Sequence, residues 1–143
     1  MNELSREAWL LMSDLVLDNQ RRRKVADATG ISFARVRAIR RLAREPMSMK
    51  QLAALLGVDP PNVTPIIDDL EAQGLVRRKP HPDDRRAKLV ELTAKGRKKA
   101  EKADEILATP PAALSDLSEK DLKTLERILA GVRDASNGQA ATK

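Results

Sequence analysis

The charged side chains between residues 75 and 96 form the pattern in this sequence that best indicates a functional site. Two basic runs, at 77–79 and 85–86, flank a Pro-His-Pro-Asp-Asp segment that is too stiff and polar for a strand or helix interior. The Lys-Leu-Val-Glu-Leu run at 88–92 has the content of a short strand. The pattern predicts two strands joined by a long basic loop, and such a loop is suited to binding the phosphates or entering a groove of a nucleic acid.

A hairpin of this kind must lie against another element, because an isolated pair of strands is only marginally stable in water. The preceding residues predict a helix–turn–helix. A capping box from Ser48 to Gln51 begins one helix, which ends at Gly57, and Asp59 caps the next helix, with Pro60 at its first position. A basic hairpin beside this motif predicts a winged helix–turn–helix, whose second helix is the recognition helix.

Further helices are predicted on both sides of the winged helix. One helix spans about residues 3 to 28, and Ser32 caps another that stops at Pro46. A long helix follows Thr93, the Pro-Pro pair at 110–111 breaks it, and Thr109 could cap a fresh turn. The last helix begins with a capping box at Ser118. The apolar stripes of the terminal helices are wider than a winged helix needs, which predicts that they pack against a second copy.

The fold class is therefore mainly α (α+β), a winged helix–turn–helix with N- and C-terminal helices that form a homodimerisation domain. Residues 1–30 and 93–135 are expected to supply the dimerisation helices, and residues 31–92 the DNA-binding domain. Residues 136–143 are expected to form a disordered tail.

The composition argues against several classes of protein. A formal net charge of +6 favours a polyanionic partner. The chain has no cysteine and only one histidine, His81, so we expect no catalytic residue, no metal site, no cofactor and no enzyme activity. No apolar run approaches the length of a membrane span, and no signal peptide is apparent. These features predict a cytoplasmic protein with no membrane partner.

The order of elements and the wing sequence resemble the MarR family (multiple antibiotic resistance regulators). The specific match is Asp84-Arg85-Arg86 followed by Leu92-Thr93, and the stretches 59–64 and 70–76 also look like the family's recognition helix and its exit. The resemblance implies a homodimer that binds a pseudo-palindromic operator and responds to small phenolic or aromatic effectors in a cleft. The chain departs from the family at Pro65, where an arginine or another polar residue is frequent, and it lacks the cysteine of the oxidation-sensing branch.

The wing is expected to contact DNA. The resemblance places Arg86 in the minor groove, where an arginine meets enhanced negative potential. Asp84 could hold the Arg86 guanidinium by a bidentate pair. The alternative is that both are solvated loop charges. The predicted wing contacts are Asp84, Arg85, Arg86 and Lys88.

Two further sets of residues are expected at DNA. The recognition helix offers Pro61 for a thymine methyl and Asn62 and Thr64 for base edges, although Asn62 could instead only satisfy backbone donors. Pro65 predicts a bent or loosened start of that helix. The phosphate contacts are expected to come from the helix before it and from the first strand of the wing: Ser48, Gln51, Arg77 and Lys79.

An effector pocket could be lined by Leu11, Met12 and Leu15, although an apolar helical stripe is more often core or dimer seam. Taken together, the sequence predicts a sequence-specific transcriptional regulator, a repressor, that binds double-stranded DNA as a homodimer and is released by a small aromatic effector. Two alternatives stay open: a non-specific architectural DNA-binding protein and a winged-helix protein-interaction module.

Overall fold

The structure is a computed structural model that describes residues 2–140. The chain divides into two compact units, and the boundary between them in the sequence lies between Ala108 and Thr109. The first unit contains six helices and three strands in the described residues, and the second contains two helices. In chain order the elements are α1 Glu3–Val16, α2 Asn19–Thr29, α3 Phe33–Leu42, β1 Met47–Ser48, α4 Met49–Leu56, α5 Pro60–Ala72, β2 Val76–Pro80, β3 Lys88–Leu92, α6 Ala94–Ala108, α7 Ala112–Ser115 and α8 Glu119–Ala140.

The core of the first unit lies between its helices and one face of its sheet. Helix α6 packs against α2 and α3, and α4 packs against α5. Each of these elements contributes buried apolar side chains, including Val25, Ile39, Leu52, Ile67 and Val90. The predicted mainly α winged helix–turn–helix is confirmed, and its helices and wing share one continuous core.

The wing is an antiparallel hairpin of β2 and β3. Its register places Arg77 opposite Glu91 and Lys79 opposite Leu89. Strand β1 pairs with the other edge of β3, with Ser48 opposite Leu89. The sequence did not predict β1, because a strand of two residues leaves no periodic pattern.

Most of the predicted helix caps are present. Ser32 accepts the backbone N–H of Arg35, and Gly30 and Gly57 end their helices in the left-handed conformation. Asp59 occupies the N-cap position of α5, but its side chain makes no capping hydrogen bond, so that part of the prediction is wrong. Helix α5 is continuous across Pro65, and its first turn includes a hydrogen bond from the Asn62 N–H to the Asp59 carbonyl.

The predicted single N-terminal helix is wrong, because the structure has two helices there. Helix α1 ends at Val16, and α2 begins at Asn19. Asp18 is the physical reason, since its carboxylate accepts the backbone N–H of Gln20 and so caps a new helix.

The start of α6 makes a close approach to the end of the helix–turn–helix. The Thr93 hydroxyl caps α6 by accepting the backbone N–H of Gly96, and the Thr93 N–H donates to the carbonyl of Leu75 at 3.1 Å. A Cβ atom at Gly96 would lie 2.0 Å from that same Leu75 oxygen. Only a glycine fits this contact without a shift of the backbone.

In the second unit, Pro111 rather than Thr109 holds the N-cap position of α7, which corrects the predicted cap. Ser118 accepts the backbone N–H of Asp121 at the start of α8, as its capping motif predicted. Helix α8 continues to Ala140, into the segment expected to be a disordered tail. Residues 141–143 of the expected tail lie outside the described residues.

Candidate nucleic-acid interface

The loop of the wing projects cationic side chains into solvent. The His81 N–H donates to the Ala87 carbonyl, which closes the base of the loop. Arg85, Arg86 and Lys88 are exposed and form no ion pair with any residue whose side chain the structure describes. Arg85 and Arg86 on the loop and Lys88 at the first position of β3 therefore form a cationic group whose chemistry suits phosphates.

Asp84 holds the backbone of the wing loop, not the Arg86 side chain. One oxygen of its carboxylate accepts the backbone N–H of Arg86 at 2.9 Å, two residues later. This is an Asx turn, a local arrangement that competes well with a side-chain ion pair because it costs less side-chain entropy. The expected bidentate pair between Asp84 and the Arg86 guanidinium is therefore wrong.

The cations of strand β2 are partly neutralised by one carboxylate of β3. Glu91 bonds Arg77 at 2.6 Å and Lys79 at 2.7 Å. Lys79 and, next, Arg77 lower the pKa of the Glu91 carboxyl through these hydrogen bonds. Arg77 remains 67% exposed, so it can still reach a phosphate, whereas Glu91 is 17% exposed. The face of the wing sheet therefore carries one net positive charge from these three groups.

The recognition helix presents the predicted base-reading residues to solvent. Pro61, Asn62 and Thr64 are exposed near the N-terminus of α5, while Val63 and Ile67 on its opposite face are buried. The structure thus brings the three residues together on the open face of the helix. Their contact with base edges stays a prediction.

Ser48 and Gln51 form the capping box at the N-terminus of α4. The Ser48 hydroxyl accepts the Gln51 N–H at 3.1 Å, and the Gln51 side-chain oxygen accepts the Ser48 N–H at 3.0 Å. The amide NH₂ of Gln51 and the Ser48 O–H are left as donors. A phosphate at this helix end would also meet the positive end of the helix dipole.

Arg78 is a residue whose role the sequence analysis missed. Its guanidinium bonds Asp68 at 2.5 Å and Glu71 at 2.8 Å, both on the recognition helix. The hydrogen bond to Asp68 is the main cause of the raised Arg78 pKa, and Glu71 adds to it. The spacing of the two carboxylates, three residues apart on one helix face, was the available signal.

The arginines of α3 are mostly engaged within the protein. Arg35 pairs with Asp69 at 2.6 Å, Arg40 pairs with Asp104 at 2.5 Å, and Arg37 donates to the Leu56 carbonyl. A cavity of about 320 Å³ opens beside this helix and is lined by Arg37, Arg40, Arg41, Ala43, Arg44 and Asp104. Its lining carries four positive charges and one negative charge, a set that favours an anionic occupant.

The predicted effector residues lie on the largely exposed helix α1. Leu11 and Leu15 are 66% and 64% exposed, and none of the described residues of α1 is buried. Met12 is half-buried. Their role in effector binding stays a prediction, and their exposure fits the alternative of a seam with another chain.

Comparison with known proteins shows a family similarity in the central part of the chain. The model of the MarR family matches residues 29–87, from the end of α2 to the wing loop. The organic hydroperoxide resistance transcriptional regulator of Bacillus subtilis (strain 168) is 36% identical over 85 residues, or 59% of this chain. Across its winged helix, the chain is similar to the MarR family. The match spans 57% of that relative's length.

Solved structures share this fold along nearly the whole chain. The Mycobacterium tuberculosis protein RV1404 is 26% identical, covers 96% of each chain and superposes with a TM-score of 0.78. NadR, solved in complex with 4-hydroxyphenylacetate, is 25% identical, with a TM-score of 0.67 over 92% of this chain and 93% of its own. The MarR family consists of transcriptional regulators, not enzymes.

The described residues contain neither a cluster of metal-ligating side chains nor a helix that could span a membrane. No group of three or more His, Cys, Asp or Glu side chains among them is placed to hold a metal ion. None of their helices combines the length and apolar character needed to cross a bilayer.

Proposed function

We propose that this chain is a sequence-specific repressor of transcription that binds a pseudo-palindromic operator as a homodimer. The observation that carries the proposal is the division of the wing cations into two groups. Arg77, Arg78 and Lys79 are paired with carboxylates, whereas Arg85 and Arg86 at the loop are exposed without a described partner. Unpaired guanidinium groups on a projecting loop, beside an open recognition helix, suit simultaneous reading of a minor and a major groove.

The homodimer is supported by the apolar surface of α1. Leu4, Leu11 and Leu15 are each more than 60% exposed in the single chain and share one face of α1, because their spacing of seven and four residues matches the helical repeat. A contiguous apolar surface of this kind marks an interaction site. A second copy is the proposed partner, because a two-fold dimer places two recognition helices about 34 Å apart, in successive major grooves.

A small aromatic anion is the proposed effector that releases the operator. NadR, a relative with the same fold, was solved with 4-hydroxyphenylacetate, which joins a phenol to a carboxylate. The arginine-lined cavity beside α3 offers guanidinium groups for such a carboxylate. Leu11, Met12 and Leu15 are the proposed apolar contacts, supplied from the dimer seam.

The test of operator binding is the substitution Arg86→Ala. Loss of a guanidinium from the minor groove should weaken operator binding by about 1–3 kcal/mol and leave the dimer intact. The operator is first selected from bound genomic fragments, and affinity is then measured by gel shift at fixed physiological salt. Arg127→Ala, which removes one exposed cation from α8, is the control for net charge and should bind almost as the wild type does.

Three results would contradict the proposal. The first is an unchanged affinity of Arg86→Ala, which would remove the wing from the interface. The second is a footprint with a single half-site, which is incompatible with a two-fold dimer. The third is an affinity for the selected site less than about 10³-fold above that for bulk DNA, which would favour an architectural protein. A chain that binds no DNA at all would favour the protein-interaction module.

A further inference from the structure

The two faces of strand β2 carry cations with different surroundings. Arg77 and Lys79 both reach Glu91 on the neighbouring strand, whereas Arg78, between them in sequence, reaches the recognition helix. Alternate residues of a strand point to opposite faces, so this division follows from the period of the strand. The three cations look equivalent in sequence, but only Arg78 connects the wing to α5.

The connection made by Arg78 uses three hydrogen bonds. The guanidinium donates through Nη2 to Asp68 Oδ1 at 2.5 Å and through Nη1 to Glu71 Oε1 at 2.8 Å. The backbone N–H of Arg78 donates to the second oxygen of Glu71 at 3.2 Å. The Arg78 side chain is 25% exposed, against 67% for Arg77. Both nitrogens at the tip of the guanidinium are directed to α5.

We propose that Arg78 is a positioning residue that fixes the orientation of the wing relative to the recognition helix, and that its charge does not contact DNA. The inference rests on the proposed function, because it concerns how two reading elements reach one duplex. A planar guanidinium held by two carboxylates has little freedom to rotate, and the flexible ammonium of a lysine could not reproduce this fork. The wing loop and the N-terminus of α5 are thereby held at one separation before DNA arrives.

Substitution of the two carboxylates separates this role from a phosphate contact. If Arg78 bound phosphate, loss of the negative charges of Asp68 and Glu71 would free its guanidinium and strengthen DNA binding. If Arg78 positions the wing, the same loss releases the wing and weakens operator binding. The two roles therefore predict changes of opposite sign for Asp68→Asn with Glu71→Gln.

The experiment compares that double variant and Arg78→Lys with the wild type, on the selected operator and on bulk DNA, across a series of salt concentrations. We expect each variant to lose about ten-fold in operator affinity, the factor that corresponds to one charge-assisted hydrogen bond. For Arg78→Lys, affinity for bulk DNA and the salt slope should stay near the wild-type values, because net charge and the number of phosphate contacts are unchanged. The double variant loses two negative charges and should bind bulk DNA at least as well as the wild type, so its ratio of operator to bulk affinity should fall further. A variant that was merely less stable would lose both affinities in proportion.

Tighter operator binding by the double variant, or unchanged operator binding by Arg78→Lys, would overturn the inference. Hydrogen exchange of the wing amides in the free protein supplies a second measurement that needs no DNA. We expect faster exchange in β2 and β3 of Arg78→Lys, with the core amides of α3 unchanged, and equal wing protection would also overturn the inference. A wild-type chain that shows no operator preference refutes the proposed function alone, since the exchange measurement still tests the fork.

Discussion

Replacement of Gly96 by alanine should destabilise the fold, although the same change in most helices is favourable. Gly96 lies in the first turn of α6, where a Cβ atom would stand 2.0 Å from the Leu75 carbonyl oxygen and 3.1 Å from a methyl carbon of Leu92. The leucine side chain can move aside, but the carbonyl belongs to the backbone that leads from the recognition helix into the wing. Helix α6 must therefore shift away from Leu75.

The magnitude follows from three contributions. Alanine in place of glycine within a helix gains about 1 kcal/mol. Overpacking against a backbone atom costs about 1–3 kcal/mol. The shift of α6 also stretches the 3.1 Å hydrogen bond from the Thr93 N–H to the same Leu75 oxygen, which is worth about 1 kcal/mol. The net expectation is a loss of about 1–3 kcal/mol in the free energy of unfolding.

Urea denaturation followed by far-UV circular dichroism measures this loss, at one fixed protein concentration because a dimer makes stability depend on concentration. The matched control is Gly131→Ala in α8, where an added Cβ meets no atom within 4 Å. The control should be neutral or stabilised by about 1 kcal/mol. A Gly96→Ala variant as stable as the wild type, with an unchanged slope, would show that the approach of α6 to Leu75 is not as tight as described.

Three further substitutions test other parts of the molecule. The pKa of Glu91 is lower in the folded chain than in the unfolded chain, so the stability that its ion pairs contribute is present above its ordinary pKa and is lost as pH falls through the lowered value. In urea titrations at falling pH, the difference in stability between the wild type and Glu91→Gln should therefore disappear. A difference that grows in acid would refute the pairing. Ser48→Ala removes the acceptor of the α4 capping box and should cost about 0.5–2 kcal/mol by urea denaturation; no loss would show that the cap is dispensable. Leu15→Asp places a charge on the exposed apolar surface of α1 and should shift sedimentation toward monomer with little change in helicity, whereas an unaltered dimer would place the seam elsewhere.

The sequence predicted the elements whose ends carry local signals. Ser32 and the Ser48 capping box act through hydrogen bonds within a few residues, so their helices were predicted at the correct starts. The break at Asp18 carries the same kind of signal, but the apolar stripe of α1 runs up to it and favoured one long helix. Asp59 shows the opposite error, because a capping residue type stands at the correct position without making the bond.

The candidate site was predicted as a set of residues but not as a set of contacts. Exposure of Asn62 follows from the periodic core positions of its neighbours in α5, and exposure of Arg86 follows from its place in a polar loop. The partners of Arg78 and Lys79 depend on which elements meet in space, and strand alternation alone does not identify them. The Asp84 carboxylate bonds a backbone N–H two residues later, and residue types alone do not distinguish this local bond from an ion pair with the Arg86 guanidinium.

Strand β1 has a mechanical consequence for any change of shape in this molecule. Ser48 is both the strand residue opposite Leu89 and the residue that caps α4. A tilt of the hairpin should therefore displace the first turn of α4, because the same residue belongs to both. Helix α4 and the hairpin should therefore move together, so that a ligand that displaces one of them would also reorient the other.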